Sequence, residues 1–214
     1  LFRGMANSLL VAVPATLLTA YFSAMTAYGL AMYRFRGNKL IFTAILVFMM
    51  IPGQLSLIGF YNLCTKLKLV NSYIPLIVPA VAAPGTVFFL RQYILSVMPP
   101  ALVEAARIDG ASPTKTLFRI TLPLLSPTIW MVILVSVIYV ARTFNEVYAM
   151  FVSFSGGAAG SGNAAITIMY YIYWMFYDQG KVNYAAAAAI LFLIVIILIT
   201  VVQRAVSKKF IHYV

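Results

Sequence analysis

Long uncharged apolar stretches dominate this sequence and limit the folds that are open to it. One runs from Gly4 to Tyr33, a second from Leu40 to Thr65, and the last from Val182 to Gln203. A membrane-spanning helix needs about 20 apolar residues, and backbone groups in lipid must be satisfied within helices or closed barrels. Hydrophobic residues make up 64% of the 214 positions and charged residues 9%, which is too apolar for a soluble domain. The sequence predicts an all-α, polytopic membrane helix bundle.

We expect about five spans within a single transmembrane domain. They cover roughly residues 5–32, 40–62, 70–91, 121–149 and 182–204, with a polar insert at 92–120. Helix breakers interrupt two of them: Pro52-Gly53-Gln54 lies in the second, and Pro75, Pro79 and Pro84 lie in the third. Such breaks occur where a membrane protein lines a cavity or moves, and also where they only adjust packing.

The connection between the last two spans has an unusual composition. Ser153 to Gly162 contains four glycines and predicts a flexible outer loop. Asn163 to Tyr177 follows and carries five tyrosine and tryptophan side chains. Because such side chains suit the headgroup region of a bilayer, this segment predicts an aromatic helix at the membrane interface.

Lysines and arginines set the expected orientation, because short cytoplasmic loops carry an excess of positive charge. With five spans, ten basic residues fall on one face and four on the other. The larger group is Arg34, Arg36, Lys39, Arg91, Arg107, Lys115, Arg119, Arg204, Lys208 and Lys209, and the smaller is Arg3, Lys66, Lys68 and Lys181. We therefore expect the C-terminus to be cytoplasmic and Leu1 to lie outside, with a first span missing before Leu1.

The insert between the third and fourth spans is the polar island of the chain, and it contains Glu104 and Asp109, two of the four acidic residues. The residues before Gly110 are good helix formers, and glycine suits the left-handed position after a helix end. Ser112 is a favourable N-cap, and Pro113 suits the first helical position. The segment predicts two short helices joined by a sharp glycine turn on the cytoplasmic side.

Glu104 has two interpretations that the spacing alone does not separate. It can pair with Arg107, three residues later on the same helix, and such an exposed pair contributes only about 0.3–0.5 kcal/mol. Alternatively, it pairs with a basic residue of a partner protein. Ala101, Ala105 and Ile108 share one helix face, and a face with small side chains allows close approach of another surface.

A longer pattern runs through this insert: Glu104-Ala105-Ala106, three residues, Gly110, nine residues, Ile120, one residue, and Leu122-Pro123. It resembles the EAA loop of permeases in binding-protein-dependent ATP-binding-cassette (ABC) importers. The fuller form, EAARIDGAS followed by LPLLSP, is similar to the class that imports carbohydrates such as maltose and multiple sugars. The tracts NSL at 7–9, TAYGLAMYRFRGNK, MMIPGQ and FFLRQY agree with it, so the resemblance covers nearly the whole chain.

The resemblance implies a type I ABC importer permease in a bacterial plasma membrane. It implies pairing with a second permease, two cytoplasmic ATPase subunits that bind ATP and Mg²⁺, and an extracytoplasmic solute-binding protein that delivers a sugar. No cofactor is expected in this chain itself. The implied ATPase-coupling residues are Glu104, Ala105, Ala106, Arg107, Asp109 and Gly110. Which of the two permease roles this chain takes stays open, because different tracts are similar to different partners of the pair.

Polar side chains at membrane depth are costly and tend to face cavities. On that ground the candidates for a solute path are Gln54, Ser56, Ser136, Tyr139, Asn145, Glu146 and Tyr148. Amide, carboxylate and aromatic groups together suit a sugar, and Phe144 adds an aromatic face to this set. The alternative is that Asn145 and Glu146 are ordinary outer-interface residues, with Glu146 reaching Arg142.

Other functional classes fit the sequence less well. An enzyme needs a nucleophile, an acid–base pair or a metal cluster, whereas His212 and Cys64 stand alone and the four acids are scattered, so no catalytic or metal site is expected. An ion-coupled secondary transporter needs charged residues within its spans, and these are nearly charge-free. Nucleic-acid binding is disfavoured because no basic patch is interleaved with aromatics. Within the importer class, glycerol phosphate or a polyol stays possible as the solute.

Overall fold

A computed structural model describes residues 1–98, 104–106, 108–152, 159–160 and 163–210. In these ranges the chain is helical and contains no strand, which confirms the all-α class. The α-helices that we number are α1 (Phe2–Met32), α2 (Asn38–Met49), α3 (Gly53–Lys66), α4 (Ile74–Ile77), α5 (Pro84–Val97), α6 (Pro113–Thr116), α7 (Leu122–Ala141), α8 (Asn145–Val147), α9 (Ile168–Tyr173) and α10 (Val182–Phe210). A 3-10 turn covers Val78–Val81, and π-helical turns cover Leu117–Thr121, Tyr148–Val152 and Trp174–Asp178.

Four segments of the described chain are long and apolar enough to cross a membrane: Phe2–Met32, Ile74–Val97, Phe118–Ala141 and Val182–Lys208. Helices α2 and α3 form a fifth candidate, because they pass the same test together but are bent by 99° at a short break. The break follows α2 and ends at Pro52, the N-cap of α3. The expected interruption at Pro52-Gly53-Gln54 is therefore present, and the bundle has four to five spans.

Helix α1 is the central element, since it packs against α4, α5, α7 and α9. Its contact with the third span is both apolar and polar. The Thr19 hydroxyl donates a 2.9 Å hydrogen bond to the carbonyl oxygen of Ala80. That carbonyl lies where the helical hydrogen-bond pattern stops, because Ala82 and Ala83, with ψ of 82° and 80°, are not helical. In lipid such a freed carbonyl needs another donor, and Thr19 supplies it.

Two apolar clusters occupy opposite halves of α1 and define the two ends of the bundle. The first, which we call the insert-end cluster, consists of Ala24, Ala27, Tyr28, Leu30, Val87, Leu90, Ile94, Met98, Leu125 and Val132. The second, the aromatic-end cluster, consists of Val11, Cys64, Leu76, Val147, Met150, Phe151, Val152, Ala159, Ala165, Ile166 and Tyr170. The C-terminal half of α1 thus packs with the end of α5 and the start of α7.

This arrangement separates the basic loops in the way that the charge count predicts. Arg34, Arg36 and Lys39 follow α1 at the insert end. Lys66 and Lys68 follow Cys64, which is buried in the aromatic-end cluster. The structure therefore places these two basic loops at opposite ends of the bundle.

Several expected boundaries differ from the structure. The third span does not end at residue 91, because α5 continues to Val97 and no helix breaker occurs before Pro99. The fourth does not run to 149: α7 ends at Ala141, and a separate segment begins at Asn145. The interfacial helix starts at Ile168 rather than Asn163, with Thr167 as its N-cap. The expected loop at Ser153 to Gly162 lies outside the described residues except for Ala159 and Gly160.

Candidate functional site

The polar insert contains the expected glycine turn. Glu104, Ala105, Ala106 and Ile108 are helical, and we call this segment the EAA helix. The Asp109 N–H donates to the Ala105 carbonyl and the Ala111 N–H to the Ala106 carbonyl, both at 2.9 Å. Gly110 between them has φ +74°. A six-to-one hydrogen bond around a left-handed glycine is the Schellman helix ending, so the predicted turn is present.

The second half of the insert starts as its capping residue predicts. The Ser112 hydroxyl accepts a hydrogen bond from the Lys115 N–H at 3.3 Å, and the Ser112 carbonyl accepts one from the Thr116 N–H at 2.9 Å. Pro113 takes the first position of α6. This N-cap satisfies a backbone donor that the first helical turn leaves free. Helix, glycine turn and capped helix follow within a few residues and form a compact unit.

The EAA helix presents one face outward and packs the other against the bundle. Glu104, Ala105 and Asp109 are exposed, and the Ile108 side chain is 82% exposed, whereas Ala106 is buried. Ala105 and Ile108 therefore form the small apolar face that the sequence predicts.

Two implied residues of the insert lie outside the description that the structure gives. Arg107, the expected ion-pair partner of Glu104, is one of them, and Ala101 is the other. The intramolecular Glu104–Arg107 pair therefore stays a prediction.

The insert is anchored where α5 and α7 meet. The Met98 side chain, just after α5, is buried in the insert-end cluster. The Thr121 hydroxyl, which is fully buried, lies 3.9 Å from the Met98 sulfur as a hydrogen-bond donor. A displacement of the EAA helix would therefore act on two helices that both pack on α1. This connection suits an element whose displacement is transmitted to the helices of the bundle.

The expected solute-path residues fall into separate places. Gln54 lies in the first turn of α3, is exposed, and directly follows the 99° break. Ser136 lines a cavity of about 190 Å³ between α5 and α7, together with Gly85, Thr86, Phe89, Met131, Val132 and Val135. Tyr139, one helical turn further along α7, is 75% exposed. The structure does not bring these three side chains into one site.

Asn145, Glu146 and Tyr148 do share one short segment at the aromatic end. Asn145 is exposed and Glu146 is half-buried. In the described part of the chain, no ion pair joins Glu146 to Arg142, so the structure does not contain the expected i−4 pair. Tyr148 packs against Phe144 with ring centroids 5.8 Å apart. Asn145 and Glu146 thus lie in the same short segment as two packed rings, and their place in a solute path stays a prediction.

The sequence did not reveal that the interfacial aromatics join this mouth. Tyr173 packs against Phe144 at 5.0 Å, against Tyr148 at 6.0 Å and against Tyr177 at 4.9 Å, measured between ring centroids. Tyr170 forms the floor of the group, where burial and then the nearby Asp178 raise the pKa of its phenol to about 12. We call Phe144, Tyr148, Tyr170, Tyr173 and Tyr177 the aromatic mouth.

The segment that carries these tyrosines is pinned to the start of α1. The Asn7 side-chain amide donates to the carbonyls of Ala164 and Ile166, each at 2.8 Å. The Ser8 hydroxyl accepts a hydrogen bond from the Ile168 N–H at 3.1 Å. An asparagine and a serine from the tract NSL therefore fix where α9 begins. Among the described residues, no group of three or more His, Cys, Asp or Glu side chains could hold a metal ion.

Comparison with known proteins connects this architecture to a family. A family model described as "Binding-protein-dependent transport system inner membrane component" matches residues 13–212. The arabinooligosaccharides transport system permease protein AraQ of Halalkalibacterium halodurans is 41% identical over 123 residues, which are 58% of this chain and 44% of that protein. The sn-glycerol-3-phosphate transport system permease protein UgpE of Salmonella typhi is 33% identical over 135 residues, which are 63% of this chain and 48% of that protein.

These matches span about half the length of the curated relatives. A solved structure covers more: the bacterial alginate ABC transporter, in complex with an alginate pentasaccharide-bound periplasmic protein, matches with a TM-score of 0.77 at 18% identity. The match covers 97% of this chain and 78% of that one, which shows the fold. The resemblance expected from the EAA pattern is confirmed, and the chain belongs to the family of inner membrane components of binding-protein-dependent transport systems, the ABC importer permeases.

Proposed function

We propose that this chain is the permease subunit of an ATP-powered importer that moves a sugar or oligosaccharide into the cytoplasm. The observation that carries the proposal is the exposed EAA helix with its Schellman ending at Gly110. In this proposal the helix seats in a cleft of a cytoplasmic ATPase. Glu104, Ala105, Ala106, Arg107, Asp109 and Gly110 are the coupling residues, and Met98 and Thr121 pass the motion into α5 and α7.

The proposed assembly contains a second permease, two ATPase subunits that bind ATP and Mg²⁺, and an extracytoplasmic solute-binding protein. The family description, which names binding-protein dependence, supports the last of these. So does the alginate transporter, whose structure includes a periplasmic protein with its pentasaccharide. We place the chain in a bacterial plasma membrane with its C-terminus in the cytoplasm. It hydrolyses no ATP itself.

The substrate class rests on the relatives and on the aromatic mouth. AraQ is named for arabinooligosaccharide transport and the solved neighbour for alginate. Rings beside an amide and a carboxylate are a common arrangement for holding the apolar faces and hydroxyls of sugars. A second candidate, glycerol phosphate, is favoured by the relative UgpE.

We further propose that Asn145, Glu146 and Tyr148 line the outer part of the solute path. Ser136, Tyr139 and Gln54 then contribute at deeper positions. The cavity at Ser136 lies between α5 and α7, and Gly85 forms part of its wall. A Cβ atom added to Gly85 would lie 3.9 Å from the end of the Met49 side chain, and Met49 is the last residue of α2. The break between α2 and α3 thus borders this cavity, so movement there would change its size.

Reconstitution tests the proposed function. The permease and its partner subunits are reconstituted into proteoliposomes, with the binding protein outside and the ATPases facing the lumen. These vesicles should take up radiolabelled sugar only when the lumen contains ATP. Uptake driven by an ion gradient alone would instead identify a secondary transporter. Replacing both Asn145 and Glu146 with alanine should lower uptake, or change the preference among sugars, while complex assembly stays normal. Unchanged rate and preference would exclude these residues from the path.

A further inference from the structure

Among the residues that the structure describes, none forms an ion pair with Arg91. It lies on α5, six residues before the helix ends, and is half-buried. Its guanidinium carbon sits 3.9 Å from the ring centroid of Phe42, and that ring is stacked on Phe88 with centroids 6.1 Å apart. The Nε atom is buried and has no hydrogen-bond partner. A desolvated donor of a charged group is costly unless an acceptor reaches it.

The surroundings of Arg91 are basic and shaped by a well-ordered loop. Phe42 lies on α2 one turn after Lys39, so that both side chains lie on one helix face. The Asn38 side-chain amide donates to the carbonyls of Leu30 and Tyr33, at 3.1 and 2.8 Å, and ties the start of α2 to the end of α1. Arg34, Arg36 and Lys39 are exposed around this junction.

The chain offers this region no neutralising acid. In the part that the structure describes, Arg91 makes no ion pair, and its one polar contact is with the Phe42 ring. Two of the four acids, Glu146 and Asp178, adjoin the aromatic-end cluster. The other two, Glu104 and Asp109, are exposed on the insert. The junction of α1, α2 and α5 therefore carries an unbalanced positive charge.

The depth of the guanidinium points to the kind of anion. At 1.5 Å per residue, Arg91 lies about 9 Å from the end of α5 and Phe42 about 6 Å from the start of α2. With both helix ends placed at the water-facing edge of the headgroup layer, these distances reach the boundary between headgroups and hydrocarbon, since each interfacial layer is roughly 5–8 Å thick. Soluble anions are scarce at that depth, whereas lipid phosphates are abundant.

We infer that Arg91, together with Lys39, binds the phosphate of an anionic phospholipid at the junction of α1, α2 and α5. The Phe42 ring holds the guanidinium plane in place, and the terminal guanidinium nitrogens, which unlike Nε are not buried, bind the lipid oxygens. Arg34 and Arg36 add positive charge that favours a lipid with net negative charge over a zwitterionic one. The lipid thereby joins the broken span to the helix that leads into the insert.

The test compares lipid retention by matched variants. The permease, purified from membranes with its partner subunits, is titrated with phosphatidylglycerol or phosphatidylcholine in detergent, and bound lipid is counted by native mass spectrometry. Arg91→Gln should weaken phosphatidylglycerol binding about fivefold, the effect of one cation near an anionic surface. Arg91→Lys, which keeps the charge, should weaken it less. Arg204→Gln, the same charge change at an exposed position of α10, should leave it unchanged.

Three outcomes would overturn the inference. Equal losses for Arg91→Gln and Arg204→Gln would reduce the effect to net charge. Equal losses of phosphatidylglycerol and phosphatidylcholine with Arg91→Gln would remove the preference for an anionic lipid. Release of the second permease from the Arg91→Gln complex, with lipid retention unchanged, would identify a carboxylate of that subunit as the partner.

Discussion

At the scale of single residues, Gly110 is the position where backbone conformation alone determines which residue is tolerated. An added Cβ would meet no atom within 4 Å, yet φ is +74°, and a left-handed conformation costs a non-glycine residue roughly 1–2 kcal/mol. Gly110→Val should therefore open the Schellman ending and speed amide exchange at Asp109 and Ala111 by roughly 5–30-fold. Gly59→Val is the control, because Gly59 has equal space without a positive φ. Unchanged exchange at the insert would contradict a strained turn.

The proposed role of Glu104 depends on its charge rather than on its backbone conformation. Its exposure on the EAA helix leaves it accessible to a basic residue of the proposed ATPase. Glu104→Lys should lower solute-stimulated ATP hydrolysis roughly tenfold or more, because like charges across an interface cost several kcal/mol. Glu104→Gln, which removes the charge without reversing it, should lower stimulation less. Full stimulation and normal assembly of the Glu104→Lys complex would mean that Glu104 serves only its own helix.

At the scale of elements, α1 and the broken third span depend on one hydroxyl. Thr19→Val keeps the shape but leaves the Ala80 carbonyl, at the end of the 3-10 turn, without its side-chain donor. We expect the free energy of unfolding, measured by steric trapping in bicelles, to fall by about 0.6–1.7 kcal/mol. Thr200→Val is a matched control, because the Thr200 hydroxyl bonds only the Ile196 carbonyl of its own helix. Equal effects of both changes would argue against a special role for the Thr19 bond.

Elements set by local chemistry were predictable from the sequence, and those set by tertiary contacts were not. Gly110, Ser112 and Pro52 carry their conformations in their own backbone and side-chain preferences, so the turn, the cap and the break appear where expected. The apolar run of α7 does stop at Arg142, but no residue there indicates where the segment that begins at Asn145 packs. There Val147 is drawn into the aromatic-end cluster, which only the folded chain defines.

The candidate site likewise has one part that the sequence predicts and one part that depends on tertiary contacts. The EAA pattern is contiguous in sequence and identified the insert. The aromatic mouth instead combines rings from two segments that are distant in sequence, at 144–148 and 170–177. Tyr173 lies next to Phe144 and Tyr148 because Asn7 and Ser8 hold the segment before α9. Tyrosine composition alone suggested a headgroup belt, and it contained no information about which rings meet. The contiguous motif therefore identified the EAA helix, our proposed coupling element, but the sequence could not show which rings form the mouth.

At the scale of the whole molecule, the two clusters distinguish the two ends of the bundle, so the basic residues at each end can be compared. The loop with Arg34, Arg36 and Lys39 lies at the insert end and the loop with Lys66 and Lys68 at the aromatic end. Short loops rich in Lys and Arg stay in the cytoplasm. The insert end should then be cytoplasmic, which is also the side on which an ATPase would be found.

Cysteine labelling in intact cells tests that orientation. Cys64 is the single cysteine and is buried, so Cys64→Ser gives a background free of thiols. On it, Lys68→Cys should react with a membrane-impermeant maleimide added outside, and Arg34→Cys should react only after permeabilisation, since both positions are exposed at opposite ends. The reverse pattern would invert the orientation and put the EAA helix out of reach of ATP. Labelling of both from one side would contradict the separation of the loops itself, and with it the topology on which the coupling role of Glu104 rests.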